Sequence, residues 1–396
     1  MGSASSTTGA GEAQPTQSSG STAASTTSTS APAAQEPAVP VQFRTYKQLL
    51  NRGNIFELYT KGELLGSGNM ASVYRYTRKK DGVQLAAKVV AKKSLTELSE
   101  FTNELEILAA CGGHKHILDL HDIFEDEENF YLLTDLLEGG ELFDRICDMG
   151  VYTEAIAKEI IRPILDALRH IHSRQVLHRD VKPENLLLMN SKADALLKIA
   201  DFGVAAWLPD LEKTKFPKCG TPEYLAPEMY GPRNCAYGKP VDVWALGCVI
   251  FIMLCGWHPF QVPDNMREQK SRILKGDLSE LQDEDITDDA KDIIRKMLEV
   301  DPSRRWTIEQ LFEHPWIKDP ASEAARAAQA KPLKNTQKKL QTFLSKRLRK
   351  VVLGMAFASS LRTKSALVAD LRDAGAELEA AEAEAAAREA NGSPKA

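Results

Sequence analysis

None of the six cysteines in this chain (Cys111, Cys147, Cys219, Cys235, Cys248, Cys255) forms a CxxC pair, and none lies at zinc-ligand spacing with histidine. A zinc module and a disulfide-stapled secreted domain are therefore disfavoured. Free thiols in a reducing compartment, the cytoplasm, are the expectation. No apolar run reaches the roughly 20 residues that a bilayer crossing needs. The longest, VWALGCVIFIMLCGW at 243–257, begins beside Asp242 and reads as a buried helix. No charged region followed by an apolar stretch opens the chain, which argues against a secretory signal. Net charge is only −5, so the chain as a whole has no electrostatic footprint for nucleic acid. The calcium-loop pattern D-x-[DN]-x-[DN]-G is absent, and so is any internal repeat.

What is present suffices for a large core: 396 residues, 43% of them hydrophobic, with room for more than one domain. Residues 1–40 are Ser, Thr, Ala, Gly and Pro with two acids and no Lys or Arg. Such a segment buries too little apolar surface to offset its ordering entropy, so 1–45 is expected to be disordered. A plastid transit peptide is similarly Ser-rich but would carry Arg, and the first here is Arg44. MGSASS fits the N-myristoylation pattern with Gly2 as acceptor. One acyl chain gives only weak membrane association. From about Tyr59 to Trp316 the composition is globular. GELLGSGNMASVYRYTR, QLAAKVVAKK and FYLLTDLL read as strands, with KKDG as a hairpin turn. TELSEFTNELEILAAC has helical spacing, and after EGGE the pattern is mainly helical. Strands first and helices second predict an α+β fold of two lobes.

Gly66 and Gly68 lie between two strands, with Ala71 where a third glycine would complete GxGxxG. Glycines let a turn bring backbone N–H groups close to phosphate oxygens, although a tight hairpin accounts for them equally well. ASVYRYT after them reads as a strand, which counts against a dinucleotide fold. Lys88 sits inside the apolar strand LAAKVV, where burial is costly unless an acid pairs with it. Glu104 in NELEIL is the favoured partner, Glu100 and Glu106 are rivals, and a solvent-facing edge lysine is the plain alternative. HRDVKPENLL at 178–187 crowds polar groups ahead of a short apolar strand. There Asp180 can accept a proton from an attacking hydroxyl, Lys182 can neutralise a transferring phosphoryl group, and Asn185 can ligate a metal. KIADFG sets Asp201 at a strand end, and an Asn with an Asp suits Mg2+. Alone, Asp201 reads as a turn residue before glycine. Four pieces in this order favour one reaction.

Residues 59–317 resemble a eukaryotic protein kinase. The marks are GSGNMASV, AAK, HRDVKPEN, DFG, APE at 226–228, VDVWALGC and DPSRRW. The resemblance implies a bilobal fold, with a small β-rich N-terminal lobe and a larger, mainly helical C-terminal lobe, and use of ATP with Mg2+. It places Leu65, Gly66, Gly68 and Val73 over the nucleotide, Ala86 against adenine and Leu187 beneath it. Thr134 would be the gatekeeper and Asp135 the first hinge residue. Lys88 would hold the α/β-phosphates, locked by Glu104. Asp180 would orient the substrate hydroxyl with Lys182 near the γ-phosphate, and Asn185 and Asp201 would hold Mg2+. Lys182 and Thr221 resemble the serine/threonine class acting on protein substrates. Glu141 and Glu184 sit where basophilic relatives grip an arginine. Glu228 is expected to pair with Arg305, and Asp242 to steady the catalytic loop. Pro217 stands where related kinases carry an activating Thr. A pseudokinase scaffold is the alternative of a different class.

GGELFDRI, KPENLLL, DPSRR and HPWI together resemble the calcium/calmodulin-dependent protein kinase group. Residues 331–364 hold ten basic residues and no acids. On a helix, Leu344, Leu348, Leu353 and Phe357 would serve as anchors for calmodulin, which would sense Ca2+ in the chain's stead. Before calmodulin binds, the same helix would lie across the lobes and block the substrate cleft, an autoinhibitory role. Packing on the large lobe or contact with anionic lipid are the alternatives, and they leave an active kinase without calmodulin control. Residues 365–396, with seven acids and three basic residues, form an Ala/Glu-rich tail.

Overall fold

Strand-forming side chains dominate the stretch after residue 58, and it folds into the sheet they favour. The computed structural model describes residues 45–345 apart from 68–70, 96–97, 209–214, 217–218, 232–234, 263–264, 280, 282–284 and 321. Gly2, Gly68, Pro217, Leu348, Leu353, Phe357, the Ser-rich segment and the Ala/Glu-rich tail lie outside the described residues.

The small lobe opens with α1 (Tyr46–Leu49), β1 (Leu50–Asn51) and α2 (Ile55–Leu58). It continues through β2 (Tyr59–Ser67), β3 (Ala71–Arg78), β4 (Gln84–Ala91), α3 (Leu98–Cys111), β5 (Leu120–Glu125) and β6 (Asn129–Asp135). The six strands form one sheet in the order β1-β5-β6-β4-β3-β2. Only β1 pairs parallel, against β5. Alternation sorts β4 between two faces. Leu85 and Ala87 join an outer cluster with Tyr59, Tyr76, Phe124 and Leu133. Val90 joins the main core with Phe101, Leu105 and Leu108 of α3. Ordered chain thus begins well before Tyr59, and Leu49 is already buried in the main core. Nothing in the periodicity of 46–58 announces this, because pairing with a distant strand decides it.

The large lobe is built on α4 (Leu142–Asp148), α5 (Glu154–Ser173), β7 (Val176–Leu177), β8 (Leu186–Leu188), β9 (Leu197–Ile199) and β10 (Ala206–Trp207). α6 (Pro240–Cys255), α7 (Met266–Lys275), α8 (Asp288–Met297), α9 (Ile308–Phe312) and α10 (Glu323–Gln329) follow. α6 starts on a proline, where no N–H is needed, and every residue from Val241 to Cys255 is buried. The long apolar run is therefore the central helix of the core. Among the described residues no helix is long and apolar enough to cross a membrane.

Packing continues past Ile317. Residues 334–345 form a helix, α11, and Leu333, Thr336 and Leu340 are fully buried. α11 lies over Gly256, the left-handed stop of α6, where a Cβ would come within 2.6 Å of both Lys339 Cβ and the Thr336 carbonyl. Its polar side chains cap helices that end beneath it. Thr336 Oγ1 donates to the Leu254 carbonyl at 2.8 Å, and Gln337 Nε2 donates to those of Ile146 and Met149 at 3.0 and 2.8 Å. Helix ends leave such carbonyls without intrahelical partners. Leu344 is half-buried against the same core. The start of the basic segment is a layer of the large lobe.

Candidate active site

Ala86 and Lys88 occupy the β4 face opposite the outer cluster, in register with Thr134 and Leu132 of β6. Lys88 Nζ donates to Glu104 Oε1 at 3.1 Å, so Glu104 is the partner and the solvent-facing alternative falls. Leu65, Gly66, Val73, Ala86, Thr134 and Leu187 wall a cavity of about 430 Å3. Lys88, Glu104, Asp135 and Asp201 also line it. Nearly the whole expected nucleotide set is thereby brought together.

Asp135 departs from a simple hinge role. Its Oδ2 accepts from Lys198 Nζ at 2.8 Å and from the Asp119 N–H at 2.9 Å, and its Oδ1 meets His121 Nε2 at 2.9 Å. Burial opposes ionisation, but the His121 and Lys198 hydrogen bonds outweigh it and hold the carboxyl down at about 2. The carboxylate is thus committed to these three partners. Lys198, itself buried, also donates to the Ile117 carbonyl at 2.8 Å. The sequence reading missed this knot, although a lysine inside LKI carries the signal that singled out Lys88.

The catalytic loop links β7 to β8. Asp180 Oδ2 accepts from Lys182 Nζ at 2.5 Å and Asn185 Nδ2 at 3.3 Å. Its Oδ1 accepts from the Thr221 N–H at 3.0 Å and Oγ1 at 2.7 Å. Lys182 reaches the Thr221 hydroxyl as well, at 2.9 Å. Burial would raise the Asp180 pKa, but the Lys182 and Thr221 hydrogen bonds prevail and lower it, keeping a carboxylate. Asn185 also donates Nδ2 to the Asp180 carbonyl at 2.8 Å, which leaves its amide oxygen as the atom for a cation.

Beneath the loop, fully buried Asp242 accepts from the N–H groups of His178 and Arg179 at 3.0 and 2.8 Å and meets His172 Nε2 at 2.8 Å. The steadying role expected of Asp242 is what these bonds perform. Arg179 and Asp201 adopt φ of 66° and 62°, a left-handed conformation that costs a non-glycine residue energy and persists only where surroundings enforce it. Asp201 is exposed, with Oδ1 accepting from the Gly203 N–H at 3.2 Å. Glu141 precedes α4 and bridges Leu187 through its backbone, while Glu184 lies in the 3-10 turn Pro183–Asn185. Glu228 pairs with Arg305 as expected, at 2.7 and 3.0 Å.

Residues 59–317 match the family model described as protein kinase domain. The chain is 39% identical over 268 residues to calcium/calmodulin-dependent protein kinase cmkB of Emericella nidulans, covering 66% of this chain and 66% of that one. It is 39% identical over 267 residues to calcium/calmodulin-dependent protein kinase type I of Schizosaccharomyces pombe, covering 66% and 78%. It is 38% identical over 269 residues to calcium-dependent protein kinase 3 of Plasmodium yoelii yoelii, covering 67% and 49%. The aligned part thus spans just under two thirds of the first relative and about half of the last.

Proposed function

Because this chain belongs to the protein kinase family, we propose that it transfers the ATP γ-phosphoryl group to Ser or Thr hydroxyls of proteins, as a kinase of the calcium/calmodulin-dependent group. One observation carries the reading: a single hydrogen-bonded set joins Asp180, Lys182, Asn185 and Thr221, while Lys88 and Asp201 line one cavity. The residues fit the nucleotide. Leu65, Val73, Ala86 and Leu187 offer apolar walls to a purine, and Lys88 offers charge to phosphates. Among the described residues no three His, Cys, Asp or Glu side chains converge as a metal site. Asn185 and Asp201 would hold Mg2+, with phosphate and water oxygens completing its shell. Bound Mg2+ would neutralise charge on the phosphates. Asp180, kept ionised, orients the incoming hydroxyl and accepts its proton, and Lys182 offsets developing negative charge.

Glu141 and Glu184 favour peptides with an arginine N-terminal to the target residue, two carboxylates being apt for one guanidinium. Asp180→Asn should lower phosphorylation of such a peptide by about 10²–10⁴-fold with little change in thermal midpoint. Equal rates in both proteins would support a scaffold instead.

Calmodulin control is the finer part of the reading. The basic residues of 331–364 and the calmodulin dependence named in two relatives support it. Since Leu333, Thr336 and Leu340 belong to the core, the autoinhibitory part is assigned to residues after 345, with Leu348, Leu353 and Phe357 as anchors and Leu344 at the boundary. A chain ending at Ser345 should be active without effector, and the full chain should be stimulated by Ca2+–calmodulin and silent with chelator. A full chain indifferent to calmodulin would remove this part alone.

A further inference from the structure

Tyr237 has no part in the chemistry above, yet its side chain stands where three segments meet. It is 5% exposed and belongs to the main core. Its hydroxyl accepts from Arg179 Nη1 at 3.2 Å and lies 3.9 Å from Cys219 Sγ. Arg179 Nε donates to the Val204 carbonyl at 2.6 Å, tying the residue before Asp180 to the segment after Asp201. Cys219, Gly220 and Thr221 run alongside. The first touches the Tyr237 hydroxyl, and the third bonds Asp180. Between them Gly220, at φ 93°, passes so close that a Cβ would lie 2.5 Å from the Arg179 carbonyl.

An arginine in such a place needs a partner that keeps it still. A phosphorylated residue supplies one in switches that are turned on by modification. A phenol supplies one permanently. Burial, the largest influence, pushes Tyr237 ionisation well above its ordinary range against the pull of Arg179, so the hydroxyl remains a neutral acceptor at any working pH.

We infer that Tyr237 is a positioning residue for phosphoryl transfer: its hydroxyl fixes Arg179, and through it the left-handed turn that aims Asp180, without a phosphate on the segment 201–228. The inference rests on the kinase reading above, and the test separates the two. The full chain is treated with phosphatase, its dephosphorylation checked by mass spectrometry, and its rate read with Ca2+–calmodulin present. It should keep its rate, whereas loss of activity on dephosphorylation overturns the inference. Tyr237→Phe removes only the hydroxyl and should lower kcat about tenfold, while KM for ATP moves by less than about twofold. Combining it with Arg179→Met should cost no more than Arg179→Met alone, because both break one link. Multiplying losses would overturn the inference. Backbone amides of 178–186 should also exchange faster in folded Tyr237→Phe, a readout that needs no activity. Unchanged exchange sinks the inference even if the chain proves not to be a kinase. A wild-type sequence inactive both as the full chain with Ca2+–calmodulin and as a chain ending at Ser345 sinks only the kinase reading.

Discussion

Two ion pairs, one in each lobe, differ in almost every physical respect. Lys88–Glu104 is a single contact of 3.1 Å with side chains 42% and 21% exposed. Arg305–Glu228 is bidentate, with side chains 0% and 13% exposed. Arg305 also donates to the carbonyls of Pro240 at 2.8 Å and Glu299 at 2.9 Å and lies over the Trp244 ring at 5.0 Å. The wet pair can release its lysine to an incoming phosphate, since water already shares the charge. In the dry pair every donor faces an acceptor, and removing either partner strands a charge in the core. Burial, rather than the chemistry of lysine or arginine, separates a pair that serves the reaction from one that holds the lobe together.

Breaking the dry pair should have the largest effect. Glu228→Ala is expected to cost about 3–5 kcal/mol, read by denaturant unfolding. A loss below 1 kcal/mol would mean that Arg305 finds other acceptors.

Acid sharpens the contrast, because the large lobe also buries neutral histidine. Burial depresses the pKa of His258 from 6.5 to about 3. Between those values the unfolded chain binds a proton that the folded one refuses. Stability is therefore complete above pH 6.5 and drains as pH falls toward 3, by about 1.4 kcal/mol per pH unit. His258→Phe should flatten that slope, and an unchanged slope would contradict the assignment. Thermal midpoints at pH 7 and 5 suffice to measure it.

The wet pair should give the smallest change in stability. Glu104→Gln should shift unfolding by no more than about 1 kcal/mol while raising KM for ATP. A large loss of stability with unchanged KM would reverse the roles assigned to the two pairs.

Lys88, Glu104, Asp180, Asn185 and Asp201 were legible because each stands in a local pattern: a charge inside an apolar strand, an acid on a helix of known inward face, polar groups crowded at a strand end. Lys198 and Asp135 were not paired in advance. The bond that defines them spans β9 and the end of β6, and no local period relates the two. Tyr237 was invisible for the same reason, since its partner Arg179 lies in a loop and its neighbour Cys219 in another. Leu344 was legible as an apolar position on a helix, but not as one already half-covered.

By itself the sequence determined the alternation that turns Lys88 toward the cleft, the loop that carries Asp180 and the helical run that became α6, because these follow from local periodicity and side-chain chemistry. Only the tertiary structure decided that residues 334–345 complete the large lobe and that Leu49 opens the core. Thr336 and Gln337 look like ordinary surface residues until the unpaired carbonyls of α4 and α6 come to lie opposite them.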